Sequence, residues 1–172
     1  MRISMEWLRE WVPVEESAEQ FGHRLTMAGL ELDSIEAAAP AFSGVRVGLV
    51  LAVEPHPNAD RLRVCQVDAG TGEILNIVCG APNAVEGMRA PVACLGAVLP
   101  GDFRIKRSKL RGVESRGMLC SAVELGLAET SEGLMELPVD APVGADLREW
   151  LGLDDAILEV DLTPNRADCL GM

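Results

Sequence analysis

Val45, Val47, Leu49, Leu51 and Val53 fall on every second position, interleaved with Arg46, Gly48, Val50, Ala52 and Glu54. A period of two is the spacing of a strand with one buried face. Shorter runs predict strands at 62–67, 75–79, 90–95 and 117–120. Turn-forming clusters separate them: Pro55-His56-Pro57-Asn58, Gly70-Thr71-Gly72, Pro82-Asn83 and Pro100-Gly101. Five short strands rich in glycine predict a small closed barrel, and an OB-type barrel is the economical choice.

Outside this region the period changes. Ser4 can cap a short helix whose Trp7, Leu8 and Trp11 share a face, with Pro13 as its stop. Ser17 with Gln20 forms a capping-box pattern for a second helix. Phe21, Leu25 and Ala28 then follow at helical spacing, with Gly29 placed to end it. Residues 31–37 predict a strand. After the barrel, 121–128 and 145–151 predict short helices, and the alternation over 156–162 predicts a strand. Residues 168–172 look like the first turn of a helix cut short, as in a fragment of a longer protein.

Neither flank is large enough for a core of its own, so hydrophobic economy pairs them. Trp7, Trp11 and Trp150 are expected to supply bulk there. The fold class is therefore α+β: a five-stranded OB-type β-barrel over 40–150, inserted into a small α+β module. The helix–helix–strand segment 1–39 and the return strand and truncated helix of 151–172 make that module.

Of the 172 residues 48% are hydrophobic, enough for a real core and too many for a disordered chain. No apolar run approaches the roughly 20 residues needed to cross a bilayer. The N-terminus lacks a signal-peptide pattern, and a cytoplasmic protein without membrane attachment is expected. The cysteines at 65, 79, 94, 120 and 169 include no CxxC pair. Reduced core cysteines are expected, with no metal site.

A net charge of −12 argues against a nucleic-acid binder held by bulk charge. The charge is uneven, however. Between Phe103 and Arg116 lie Arg104, Lys106, Arg107, Lys109, Arg111 and Arg116 against one acid, Glu114. Six cations less one acid give +5, which leaves −17 on the remaining residues. A β-ribbon here would turn Ile105 inward and Arg104 and Lys106 outward. Lys109 and Arg111 would flank Leu110 in the same way. Cations so spaced suit a phosphate backbone. The plainer reading is a solvated edge strand protected by charge.

The loop from His56 to Leu62 admits two readings as well. It is turn chemistry alone, or a ligand-facing loop in which Arg61 and Arg63 reach phosphate beside His56 and Asn58. His56 has no acid–base partner nearby in sequence, and Cys79 shows no sign of a general base. No catalytic residue is therefore assigned. Tyrosine is absent, and the barrel region holds only Phe103 and, at its edge, Phe42. With so few stacking platforms, RNA is expected to be bound by backbone and shape.

The motifs occur in a distinctive order. They run from Ser4 to Val12, then Thr26-Met27-Ala28-Gly29-Leu30-Glu31, the 56–62 loop and residues 77–83. Leu110-Arg111-Gly112-Val113-Glu114-Ser115, residues 117–121, Glu136-Leu137-Pro138 and residues 159–169 follow. Over essentially the whole chain this resembles the N-terminal region of the bacterial phenylalanine–tRNA ligase β subunit. The centre alone is similar to free-standing tRNA-binding OB domains. The resemblance implies an α2β2 enzyme that joins phenylalanine to its tRNA with ATP and magnesium. It places the aminoacylation site in the α subunit, and editing, a magnesium site and anticodon binding farther along the β subunit. The implied partners are tRNA, the α subunit and the remainder of β. No cofactor falls to this segment, which is expected to be a non-catalytic tRNA-binding module. The alternatives are a structural or assembly module of the ligase and a stand-alone tRNA-binding chaperone.

Overall fold

The computed structural model describes residues 1–164, so the helix expected at 168–172 lies outside the described residues. In chain order the elements are β1 (Arg2–Ser4), α1 (Met5–Trp11), α2 (Ala18–Met27), β2 (Glu31–Ala37), β3 (Ser43–Pro55), β4 (Arg63–Asp68) and β5 (Ile74–Cys79). Then come β6 (Arg89–Leu99), β7 (Phe103–Arg104), β8 (Ser108–Leu110), β9 (Val113–Ser115), β10 (Met118–Leu119), α3 (Leu147–Leu151) and β11 (Ala156–Asp161). Every ladder is antiparallel. The chain forms two compact units, one of Met1–Ala39 with the chain from Gly152 onward, the other of Pro40–Leu151.

In the first unit β11 lies between β1 and β2. Ser4 ends β1 and caps α1, its Oγ accepting from the Trp7 N–H at 3.0 Å. The same hydroxyl donates to the Asp155 carboxylate, which also accepts from the Glu6 N–H at 3.0 Å. Ser17 and Gln20 close the capping box of α2, and Gly29 follows that helix in the left-handed conformation at φ +87°. Ile3, Met5, Leu8, Val14, Phe21, Leu158 and Val160 form the core.

Two expectations fail in this unit. Residues 2–4 form a strand, not a lead-in to the helix, because their backbone groups pair with 157–159 of β11. Trp7 and Trp11 are 47% and 73% exposed and supply no core bulk. Met5 and Leu8 occupy the inward face of α1, and the indoles lie on the opposite side of so short a helix. They meet each other edge-on, with ring centroids 6.3 Å apart. Trp150 belongs to α3, in the other unit.

The second unit carries a six-stranded sheet in the order β10-β6-β3-β4-β5, with β7 added on β6, and a separate hairpin of β8 and β9. Six strands in an open ladder thus stand where five in a closed barrel were expected. Single bonds join β5 to the end of β9 and the residue after it. The Arg116 N–H donates to the Asn76 carbonyl at 2.8 Å, and the Val78 N–H to Ser115 Oγ at 3.1 Å. The core centres on Val50, Cys65, Val67, Ile77 and Val92.

The alternation along β3 breaks midway. The register shifts between Val50 and Ala52, so Val50 is buried and Leu51 turns out to 40% exposure, the reverse of the expected faces. One extra residue in a strand exchanges its two sides. Residues 121–128 are successive turns, not a helix. Gly126, at φ +69°, bends the chain, and its N–H bonds back to the Val123 carbonyl at 2.9 Å. The helix expected over 145–151 is shorter, because Asp146 Oδ1 takes the Arg148 N–H at 2.9 Å and so fixes its start. Among the described residues no helix is long and apolar enough to cross a membrane.

Candidate nucleic-acid interface

The basic stretch folds as two pieces. Ile105 is pinned to β6 by two backbone bonds of 2.8 Å, to Gly96 and Ala97, and is buried. Arg104 and Lys106 on either side of it are exposed. The chain then leaves the sheet and folds on itself as β8 and β9. Arg111 and Gly112 make the tip at φ +44° and +95°, the paired left-handed conformation that a two-residue hairpin requires.

Across this hairpin Lys109 stands opposite Glu114, Ser108 opposite Ser115, and Leu110 opposite Val113. Ser115 is buried, so its face is the inner one and Lys109 projects outward. Leu110 is on the inner face but remains 42% exposed, in contrast to the buried position expected for it.

The ten candidate residues divide by what holds them. Arg116 Nη2 lies 2.9 Å from Glu73, Arg107 Nε lies 3.5 Å from Glu114, and Arg63 Nη1 donates to the Ala84 carbonyl at 2.7 Å. These three guanidinium groups have protein partners. Arg61, Arg104, Lys106, Lys109 and Arg111 are exposed and, among the described residues, in no ion pair.

His56 is buried, and its Nδ1 accepts from the Asn58 N–H at 3.0 Å. That fixes the neutral tautomer in which Nε2–H donates to the Leu110 carbonyl at 3.1 Å. Asn58 Nδ2 donates to the Arg111 carbonyl at 3.0 Å. The 56–62 loop therefore clamps the hairpin tip.

Two hollows result. Arg61 and Arg111 share a groove of about 470 Å³ with Asn58, Asp60 and Leu62. Arg104, Lys106 and Arg107 line a larger cleft of about 1030 Å³, beside Val78, Cys79 and Leu119. Glu129 and Glu132 also line it, from the 129–134 segment. Asn83 holds that segment by a reciprocal pair of bonds, accepting from the Leu134 N–H at 2.9 Å and donating to the Leu134 carbonyl at 3.0 Å. The cations thus form two clusters, with Lys109 on the hairpin's outer face, and not one ridge.

Cys79 has the most acidic thiol of the site. The neighbouring Cys65 thiol and a hydrogen bond of 3.4 Å from the Ala81 N–H bring it down to about 7, against the effect of burial. Cys65 is pushed well up. Burial raises Cys94 as well, and Cys120 to about 12. Among the described residues no group of three or more His, Cys, Asp or Glu side chains is placed to hold a metal ion. The arrangement offers cationic side chains beside two hollows.

Asn83 and Ser115 hold the site's segments in place, and sequence reasoning does not single them out. Ser115 accepts from the Val78 N–H and donates to the Gly117 carbonyl at 3.0 Å, so it joins the hairpin to β5. The only signal is a serine at an inward position of an alternating run. Asn83 stands in a turn signal that discloses nothing of its partner 51 residues away.

A family model described as "Putative tRNA binding domain" matches residues 45–146. The whole chain is 58% identical to the phenylalanine–tRNA ligase β subunit of Shewanella oneidensis and 61% identical to that of Methylococcus capsulatus. It spans 22% of the length of each. Among solved structures, a MetRS-related protein from Pyrococcus horikoshii matches with 31% identity and a TM-score of 0.45, over 60% of this chain and 87% of that one.

Proposed function

Since the chain belongs to this tRNA-binding domain family, we propose that its Pro40–Leu151 unit is an OB-like domain that grips the tRNA phosphate backbone, as a non-catalytic N-terminal part of a phenylalanine–tRNA ligase β subunit. The observation that carries the reading is the set of five cations outside any ion pair among the described residues. Arg61 and Arg111 share one groove, Arg104 and Lys106 line the larger cleft, and Lys109 lies on the outer face of the hairpin, in a chain whose net charge is −12. Guanidinium groups there can take phosphate oxygens bidentately. The acidic remainder repels wrongly placed nucleic acid. His56 and Asn58 position the hairpin tip, and Asn58 also lines the groove of Arg61 and Arg111.

The complete enzyme would attach phenylalanine to its tRNA with ATP and magnesium, as a cytoplasmic α2β2 assembly with the α subunit and the rest of β. A second reading, in which this segment braces the ligase, draws on the exposed Trp7, Trp11 and Met27 of the first unit. The readings part on RNA affinity.

The test is charge reversal at Lys109 and Arg111, both to Glu, with tRNA binding measured across a salt series. Affinity is expected to fall. The salt slope should become shallower by about 0.7 to 0.9 log units for each phosphate that is no longer neutralised. Unchanged affinity and slope would leave only the bracing reading.

A further inference from the structure

Phe103 is the one exposed aromatic ring of the Pro40–Leu151 unit. It is 57% exposed, whereas Phe42 is buried and Trp150 is partly covered. It lines the larger cleft, immediately before Arg104 and Lys106 in the chain. Its backbone is fixed by pairing with Leu99 and by the tight turn before it, where Asp102 sits at φ +59°. Leu110 and Val123, each more than 40% exposed, add apolar surface to the same cleft.

The charged groups of the cleft are segregated. Arg104, Lys106 and Arg107 come from the basic stretch, Glu129 and Glu132 from the segment held by Asn83, and Glu124, which accepts from Ser121, from the turns before that segment. A paired base in an A-form helix has no free face to place on a ring, whereas an unpaired one does. Carboxylates repel phosphate but accept hydrogen bonds from an exocyclic amine. The volume, about 1030 Å³, exceeds what one nucleotide needs.

We propose that this cleft takes one unpaired nucleotide of the bound RNA, its base stacked on Phe103, its phosphates toward Arg104 and Lys106, and an amino-bearing base edge toward Glu129 and Glu132. This rests on the reading that the unit binds RNA, and adds a stacking site to backbone binding. A single platform gives no sequence readout beyond a preference for bases that carry an amine.

The test uses the whole 172-residue chain with cytidine and uridine hexamers and with tRNA as probes. Phe103→Ala is expected to weaken cytidine-hexamer binding about 5- to 100-fold, with the salt slope unchanged because the ring neutralises no phosphate. Phe103→Trp should stay within about threefold of the parent, since an indole also stacks. The cytidine hexamer should bind more tightly than the uridine hexamer, and Glu129→Gln with Glu132→Gln should narrow that gap. If Phe103→Ala binds both hexamers as the parent does, or the parent binds neither, the nucleotide site is overturned. The Lys109 and Arg111 reversals on tRNA decide the backbone reading separately.

Discussion

Cys79 and His56 present the same kind of sequence signal, a reactive residue in a turn without a visible partner, and their surroundings give them different properties. Cys79 accepts a hydrogen bond from the Ala81 N–H and lies beside the Cys65 thiol, which together hold its thiol down to about 7. Cys120 has burial raising it to about 12. Alkylation follows the thiolate, whose fraction at Cys79 grows as pH rises through about 7. Pulse labelling with iodoacetamide, read by mass spectrometry, should modify Cys79 before Cys120, with a rate that climbs between about pH 6 and 8. Equal labelling of the two at pH 7 would contradict the hydrogen bonding described.

His56, by contrast, has both ring nitrogens bonded to backbone groups. The turn chemistry of its loop is legible in the prolines and in Asn58. Its attachment to Leu110 and Arg111, more than fifty residues away, is not, because a backbone carbonyl leaves no mark in composition.

At the scale of elements, local rules reach furthest where the interaction is local. The Ser4 cap, the Ser17–Gln20 box and the left-handed Gly29 all involve neighbours in sequence. Strand β1 escapes a sequence reading because three residues carry no period, and only pairing with β11 defines them. The β3 bulge escapes it because Val50 and Leu51 are both apolar, so hydrophobicity cannot say which one points inward.

Glycine placement shows the same contrast. Gly70 stands in a turn cluster and Gly144 in no pattern at all, yet their backbones pack directly against each other. A Cβ on Gly144 would meet Gly70 Cα at 2.9 Å, and one on Gly70 would meet Gly144 Cα at 2.5 Å. Both have left-handed φ, Gly70 at +66° and Gly144 at +86°. Gly144→Ala is therefore expected to cost more than the roughly 1–2 kcal/mol of the left-handed backbone alone. Denaturant unfolding of the variant checks this. A change below about 0.5 kcal/mol would mean that the two loops do not depend on each other.

For the molecule as a whole, charge is the property that connects sequence to function. The +5 excess between Phe103 and Arg116 can be counted from the sequence; its division cannot. Glu73 engages Arg116 from another turn, and Glu114 engages Arg107 across the hairpin. Arg63 is turned to the Ala84 carbonyl, while Arg61 joins Arg111 in one groove. Protein partners therefore remove three of the candidate cations and leave five. An exposed ion pair is worth little to stability, but each one takes a cation from the set available to phosphate. Counterion release makes that set countable in solution, since only cations that neutralise phosphates contribute to the slope of log K against log salt. A titration of tRNA binding by the intact chain between low and moderate salt is the most direct measurement. Engagement of all five should give a slope between about −3.5 and −4.5. A slope shallower than about −1 would mean that fewer than two phosphates are held, and would contradict the grip on the tRNA backbone.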